Sequence, residues 1–395
     1  MNMYREIVFG WVGFFALSSV NGTARGQDLS SIEQLGKMLF FDDALSTPPG
    51  QFCAACHAPE AGFTGPTSAI NARGSVYPGA VHTRFGNRKP PTAAYGGSSP
   101  VLFYDEDEEV WIGGMFWDGR ATGWTLDDPL AEQALGPFLN SLEQNNPNAF
   151  KVCKRVAKSP YAGLFEEVWG PGSLDCLNDL EGTYDRIGLS ISAYEQSSEV
   201  SPFTSKYDYF LAGMLELTEQ EALGLELFES EDKGNCAACH PSQPGPDGEP
   251  PLFTDFTYDN LGVPKNPENP FYDAPRKWNP AGADWVDLGL GAFLARTEYA
   301  DMAEENHGKQ KVPTLRNVDL RPHEGFVKAY GHNGFFKSLE EIVHFYNTRD
   351  VEDWPAPEVP ENVNTDELGD LGLTPEEEEA IVAFLKTLSD GFILP

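Results

Sequence analysis

One pentapeptide occurs twice in the chain, as Cys53-Ala54-Ala55-Cys56-His57 and as Cys236-Ala237-Ala238-Cys239-His240. Two thiols three residues apart can each close a thioether to one porphyrin, and the adjacent His then reaches the iron from the proximal side. This is the attachment signal of c-type haem. A Cys pair is also half of a zinc site. Here four of the six cysteines are consumed by two identical copies, and no further Cys pair or His-x-His cluster completes a tetrahedral set. Two covalent haem c groups are therefore expected, one on Cys53, Cys56 and His57, the other on Cys236, Cys239 and His240.

The N-terminus agrees with that chemistry. Arg5 precedes an apolar run from Ile7 to Val20, and a polar stretch with Ala24 and Gly26 follows, so residues 1–26 read as a secretory signal cut near Gln27. The run is short for a bilayer span. A periplasmic address with no membrane span after signal removal is expected. The net charge of −34 repels nucleic acid and anionic lipid and would attract a basic partner, although solubility of an exported protein explains it equally well. Cys153 and Cys176 remain, in an oxidising compartment and with no motif around them. They are expected to form a disulfide that clamps a local loop.

An internal repeat organises the rest. Leu35-Gly36-Lys37-Met38-Leu39-Phe40 precedes the first pentapeptide and Leu223-Gly224-Leu225-Glu226-Leu227-Phe228 the second, giving one apolar stripe on each helix that feeds an attachment loop. Each helix opens with a capping box, Ser30 with Glu33 and Thr218 with Glu221. Thr374 and Pro375 start a final helix reaching about Leu388. Strand-like alternation is scarce, and Pro/Gly-rich loops fill the gaps. The expected fold is mainly α: two cytochrome c-like haem domains with long loops, residues 27–205 and 206–395.

A haem with two strong protein ligands transfers electrons, whereas one with an open face can bind peroxide. The residues that bear on this are Phe116-Trp117-Asp118-Gly119-Arg120, Glu132-Gln133-Ala134-Leu135-Gly136-Pro137, Asn140-Ser141-Leu142-Glu143 and Val312-Pro313-Thr314-Leu315-Arg316-Asn317-Val318. With the two attachment motifs they resemble the bacterial di-haem cytochrome c peroxidase and MauG family, in the same order and over essentially the whole mature chain.

By that resemblance Glu143, ten residues beyond Gln133, is the distal carboxylate of the first haem and Gln133 its companion amide. The carboxylate would move a proton between the two peroxide oxygens so that water leaves. Gln144 stands where relatives often have Met, and is expected to be remote from the chemistry. Trp117 matches the Trp between the haems, and Trp124 lies in a neighbouring insertion, with packing its expected role. The second haem's distal ligand follows a His-Asn-Gly signal by fourteen residues, which places it at Tyr346 after His332-Asn333-Gly334. Met302 is the rival ligand. The capping pair Ser338 and Glu341 puts Tyr346 on an apolar helix face with Leu339, Ile342 and Val343.

His82 lies where some relatives carry a removable ligand of the first haem, but its offset reads as a loop His. The family also holds a calcium ion between domains. Here Lys89 takes the register of its Asn ligand, with Asn87 nearby, and residues 321–331 carry an insertion among its carbonyl donors. The resemblance implies a peroxide-dependent di-haem oxidase that draws electrons from Trp residues of a partner protein, with Tyr346 stabilising the oxidised second haem. A conventional peroxidase fed by a small cytochrome c or cupredoxin is the alternative, and a di-haem electron carrier the second.

Overall fold

The computed structural model describes residues 28–395; the expected secretory signal lies outside the described residues. The fold is mainly helical, in the order α1 (Ser31–Phe40), α2 (Ser68–Asn71), β1 (Phe103–Asp105), β2 (Val110–Ile112), α3 (Pro129–Leu139), α4 (Ala149–Val156), α5 (Ala162–Trp169), α6 (Leu180–Glu195), α7 (Lys206–Leu211), α8 (Glu219–Glu229), β3 (Tyr258–Asp259), α9 (Gly289–Leu294), β4 (Gln310–Lys311), α10 (Leu339–Thr348) and α11 (Pro375–Lys386). Among the described residues the strands make two antiparallel ribbons, β1 with β2 and β3 with β4. Long loops carry the attachment motifs, each Cys-Ala-Ala forming a single 3-10 turn.

The repeated Leu-Gly-x-x-Leu-Phe stripe has a packing reason. α1 crosses α6, and α8 crosses α11. At each crossing the repeated glycine meets the partner's backbone: a Cβ on Gly36 would lie 1.8 Å from the Ser190 carbonyl oxygen, and one on Gly224 would lie 1.9 Å from that of Ala380. No side chain fits there, so glycine sets the helix separation. The flanking Leu35, Leu39 and Phe40 then bury against Ile187, Ile191 and Tyr194. Leu227 and Phe228 do the same against Ala380, Ile381 and Phe384.

These contacts seed two apolar clusters, one built from residues up to Val200 and the other from Tyr207 onward. A third cluster joins Leu102 and Trp111 to Tyr258, Leu290 and Leu294, spanning both parts of the chain. Met302 packs against this third cluster.

Helix starts follow the local sequence. The Glu33 carboxylate accepts from Ser30 N–H at 2.6 Å, and those of Glu221 and Glu377 accept from Thr218 and Thr374 N–H at 2.8 Å. At α10 half of the expected box forms. Ser338 Oγ accepts from Glu341 N–H at 3.0 Å, but the Glu341 carboxylate turns to Lys337 N–H at 2.6 Å. Cys153 on α4 is bonded to Cys176 in the loop before α6, their Cα atoms 5.8 Å apart.

One buried guanidinium, itself paired within the first part, ties the two parts together. Arg88 reaches Asp118 through Nη1 and Asp287 through Nε, both at 2.6 Å. Burial opposes every one of these charges, yet the paired guanidinium holds the Asp287 carboxyl far below the usual carboxylate range.

Candidate active site

Two cavities open beside the two attachment motifs. Cys53, Cys56 and His57 line the first, and Cys236, Cys239 and His240 the second. Each proximal imidazole is oriented alike. His57 Nδ1 lies 3.2 Å from the Phe63 carbonyl oxygen, and His240 Nδ1 lies 2.7 Å from that of Phe253. A carbonyl can only accept, so Nδ1 carries the proton and Nε2 keeps its lone pair for a metal. Burial favours the neutral ring, pulling the His57 pKa down to about 4 and lowering that of His240. Each Phe is followed by Thr, and both Phe residues have a left-handed backbone. This Phe-Thr echo is a second repeat that aligning the two halves would have exposed.

Orphaned polar atoms show that both cavities fit a haem. Arg316, fully buried and doubly bonded to the Asp208 carboxylate at 2.8 Å, leaves Nη2 without a partner at the second cavity. His332 Nε2 and the Gln310 amide are likewise unpartnered there. At the first cavity Gln144 Oε1 and Glu195 Oε2 are in the same state. A buried donor or acceptor without a partner costs about 1–3 kcal/mol, and the polar edge of a haem would supply such partners.

The first cavity collects the expected distal residues. Gln133 projects from α3, and Glu143 sits in the turn after it. Burial raises the Glu143 pKa, opposed by the Arg120 charge and a bond with Asn140. Arg120 is a member of this wall that sequence reasoning left without a role, held over the Phe116 ring at 3.7 Å and bonded to Asp118 at 2.8 Å. Glu195 is another. At the C-terminus of α6 it reads as an ordinary last turn, yet it is buried at the cavity, and desolvation raises its pKa well above normal. Gln144 needs correction: it lines the cavity and is buried, because the turn that presents Glu143 also folds its neighbour inward. Exposed His82 is not among the cavity residues.

Trp117 lines both cavities, together with Lys89, Pro91 and Thr92. Its indole N–H donates to the Lys89 carbonyl at 2.9 Å, and its own carbonyl accepts from Lys311 N–H at 2.8 Å. The His332 ring meets it edge-on at 6.4 Å. Trp124 packs instead against Tyr299 and Phe293 and donates to the Leu102 carbonyl at 2.8 Å.

Tyr346, on α10, lines the second cavity with Cys236, Cys239 and His240. Desolvation raises its pKa, with the Asp259 charge adding to the shift and no hydrogen bond offsetting it. No methionine lines this cavity among the described residues, so Met302 is not the ligand. Lys311 faces the same space, its pKa drawn down to about 7 by burial.

The expected calcium ion does not fit the donors present. Lys89 brings a cation to the Asn register, and burial with the nearby Lys337 charge draws its pKa down to about 8. The carbonyl oxygens of Asn317, which ends the Leu-Arg-Asn motif, and of Leu320, just beyond it, already accept from the Lys328 ammonium at 2.8 Å. Calcium takes six to eight oxygens, usually with carboxylates. Each ammonium at about 4 Å would repel each of its unit charges by about 4 kcal/mol in an effective dielectric of 20. The Asn87 backbone oxygen is already bonded to Asn269, at 2.8 Å. Asp259, Glu367 and Cys239 form the one acidic, thiol or imidazole cluster among the described residues, and they belong to the second cavity.

Residues 30–216 match the profile of the di-haem cytochrome c peroxidases. The chain is 36% identical to the methylamine utilization protein MauG of Paracoccus denitrificans over 374 residues, covering 91% of this chain and 89% of that one. It is 29% identical to the cytochrome c551 peroxidase of Nitrosomonas europaea, covering 91% and 80%. Among solved structures, the diheme peroxidase BthA of Burkholderia thailandensis superposes with a TM-score of 0.74 at 30% identity, covering 91% of this chain and 86% of that one.

Proposed function

The chain belongs to the family of di-haem cytochrome c peroxidases and MauG, oxidoreductases acting on peroxide, and we propose that it oxidises Trp residues of a partner protein in the periplasm. The observation that carries this reading is Tyr346. A methionine ligand in the second cavity would favour reduced iron and suit electron uptake from a small cytochrome. A phenolate oxygen favours oxidised iron and holds charge for later use.

When bound, the haem groups supply one iron that takes peroxide and a second that shares the oxidising equivalents. The chain does the rest. Glu143 accepts a proton from one peroxide oxygen and returns it to the other. Gln133 offers an amide hydrogen bond without ligating, and the Arg120 charge restrains the rise in the Glu143 pKa. Trp117, pinned through its N–H to Lys89, gives electrons a polarisable step between the cavities. Tyr346 holds the second site in its oxidised form.

The test is mass spectrometry of a candidate Trp-bearing secreted protein before and after peroxide plus holoenzyme. The expected result is a Trp that has lost hydrogen or gained oxygen, with slow peroxidation of reduced small cytochrome c. Rapid peroxidation of that cytochrome with the partner unchanged would establish the conventional peroxidase. A resting ferric spectrum with no high-spin component and no peroxide turnover would establish the carrier.

A further inference from the structure

Three lysines are drawn into the seam between the two haem-bearing parts, in a chain whose net charge is −34. Lys328 is buried, and its Nζ donates to the carbonyl oxygens of Ala61 at 3.0 Å, Asn317 at 2.8 Å and Leu320 at 2.8 Å. Ala61 lies just beyond the first attachment motif, whereas the other two follow Leu315 in the second part. Every proton of the ammonium is thereby used, and none on a carboxylate. Lys337 repeats the pattern. Its Nζ donates to the carbonyls of Asn71 at 2.9 Å, Arg73 at 2.6 Å and Gly334 at 2.5 Å, and to Ser75 Oγ at 3.1 Å. Lys89 stands in the wall that both cavities share.

Neutral carbonyl oxygens converging from two chain segments are the donor set of a hard cation. Here the cation is part of the chain. The backbone closes round it: a Cβ on Gly62 would lie 3.0 Å from both Lys328 Nζ and the Asn317 oxygen. Burial and the Lys89 charge lower the Lys328 pKa. A neutral amine, however, has two protons for three carbonyls and would turn its lone pair on the third. The geometry is that of the ammonium.

We propose that Lys328, with Lys337 bridging the same seam, is a built-in cation that replaces a bound divalent metal between the two haem-bearing parts, so that the assembled enzyme works without calcium. A tethered ammonium cannot exchange with solvent, and the seam is then insensitive to calcium supply. The claim is independent of which partner the enzyme oxidises.

The test uses the holoenzyme with both haems attached. After incubation with calcium chloride and desalting, elemental analysis should find no stoichiometric calcium, and a chelator followed by added calcium should leave peroxide turnover and the ferric spectrum unchanged. One calcium retained per chain, or turnover lost on chelation and restored by calcium, would overturn the proposal. Lys328→Met keeps the aliphatic stem and removes the charge. Its melting temperature should fall by several degrees, and an unchanged value would overturn the bridging role. Should Lys328→Met yield no holoprotein, Lys328→Gln, which keeps two donors, should melt below wild type; a midpoint equal to wild type would again overturn that role.

Discussion

The two haem-bearing parts of this molecule are alike at their attachment motifs and unlike across their cavities. On the attachment side both use Cys-Ala-Ala-Cys-His, an Nδ1 bond to a Phe carbonyl, and a glycine-mediated crossing of the feeding helix. On the other side the first cavity meets Gln133 and Glu143 from α3 and its following turn, while the second meets Tyr346 from α10. A duplicated attachment unit therefore leaves reactivity open. Whatever closes the opposite face decides whether an iron can take peroxide or is committed to holding charge.

The comparison breaks most sharply at Glu143. Glu143→Gln should retain both haems and lose about 10²–10⁴-fold in the rate of reaction with peroxide, since a general acid-base group contributes on that order; stopped-flow absorbance measures it. Because burial raises the Glu143 pKa, the proton-accepting carboxylate fails as pH drops through that value. The wild-type rate should fall with it, and the variant should lose this dependence. A comparable loss from Tyr346→Phe with Glu143 intact would mean that the roles of the two cavities are reversed.

On the attachment side, symmetry predicts equal injury. Gly36→Ala and Gly224→Ala each force a methyl onto a carbonyl, and overpacking of this kind costs about 1–3 kcal/mol, occasionally more. Chemical denaturation of the holoprotein should show similar losses for both. If one is neutral, the crossings are not equivalent. The smallest effect belongs to the helix caps. Ser30→Ala and Thr218→Ala should each cost about 1 kcal/mol, with thermal melts as the measure and the same value expected in both parts.

The attachment motifs, the feeding helices and their caps were legible because each depends on residues a few positions apart. Thioether spacing is set within one turn, and a Ser or Thr finds its Glu three residues on. Family register added Glu143, Gln133, Trp117 and Tyr346, and the structure brings all four to cavity walls. Register misjudged Gln144, which local spacing gave no reason to turn inward, and left Arg120, Glu195 and Lys311 without roles. Their importance comes from burial beside a cavity, which no stretch of sequence displays.

The amino-acid order alone determined that two porphyrins are held covalently on twin helical units, since both features are written in neighbouring residues. Only tertiary structure decided that one indole serves both cavities and that a lysine ammonium fills the seam. Each of these joins segments hundreds of residues apart in the chain: Trp117 meets Lys311, and Lys328 meets Ala61. Such long-range closeness is set by how glycine crossings and buried ion pairs place whole elements against one another.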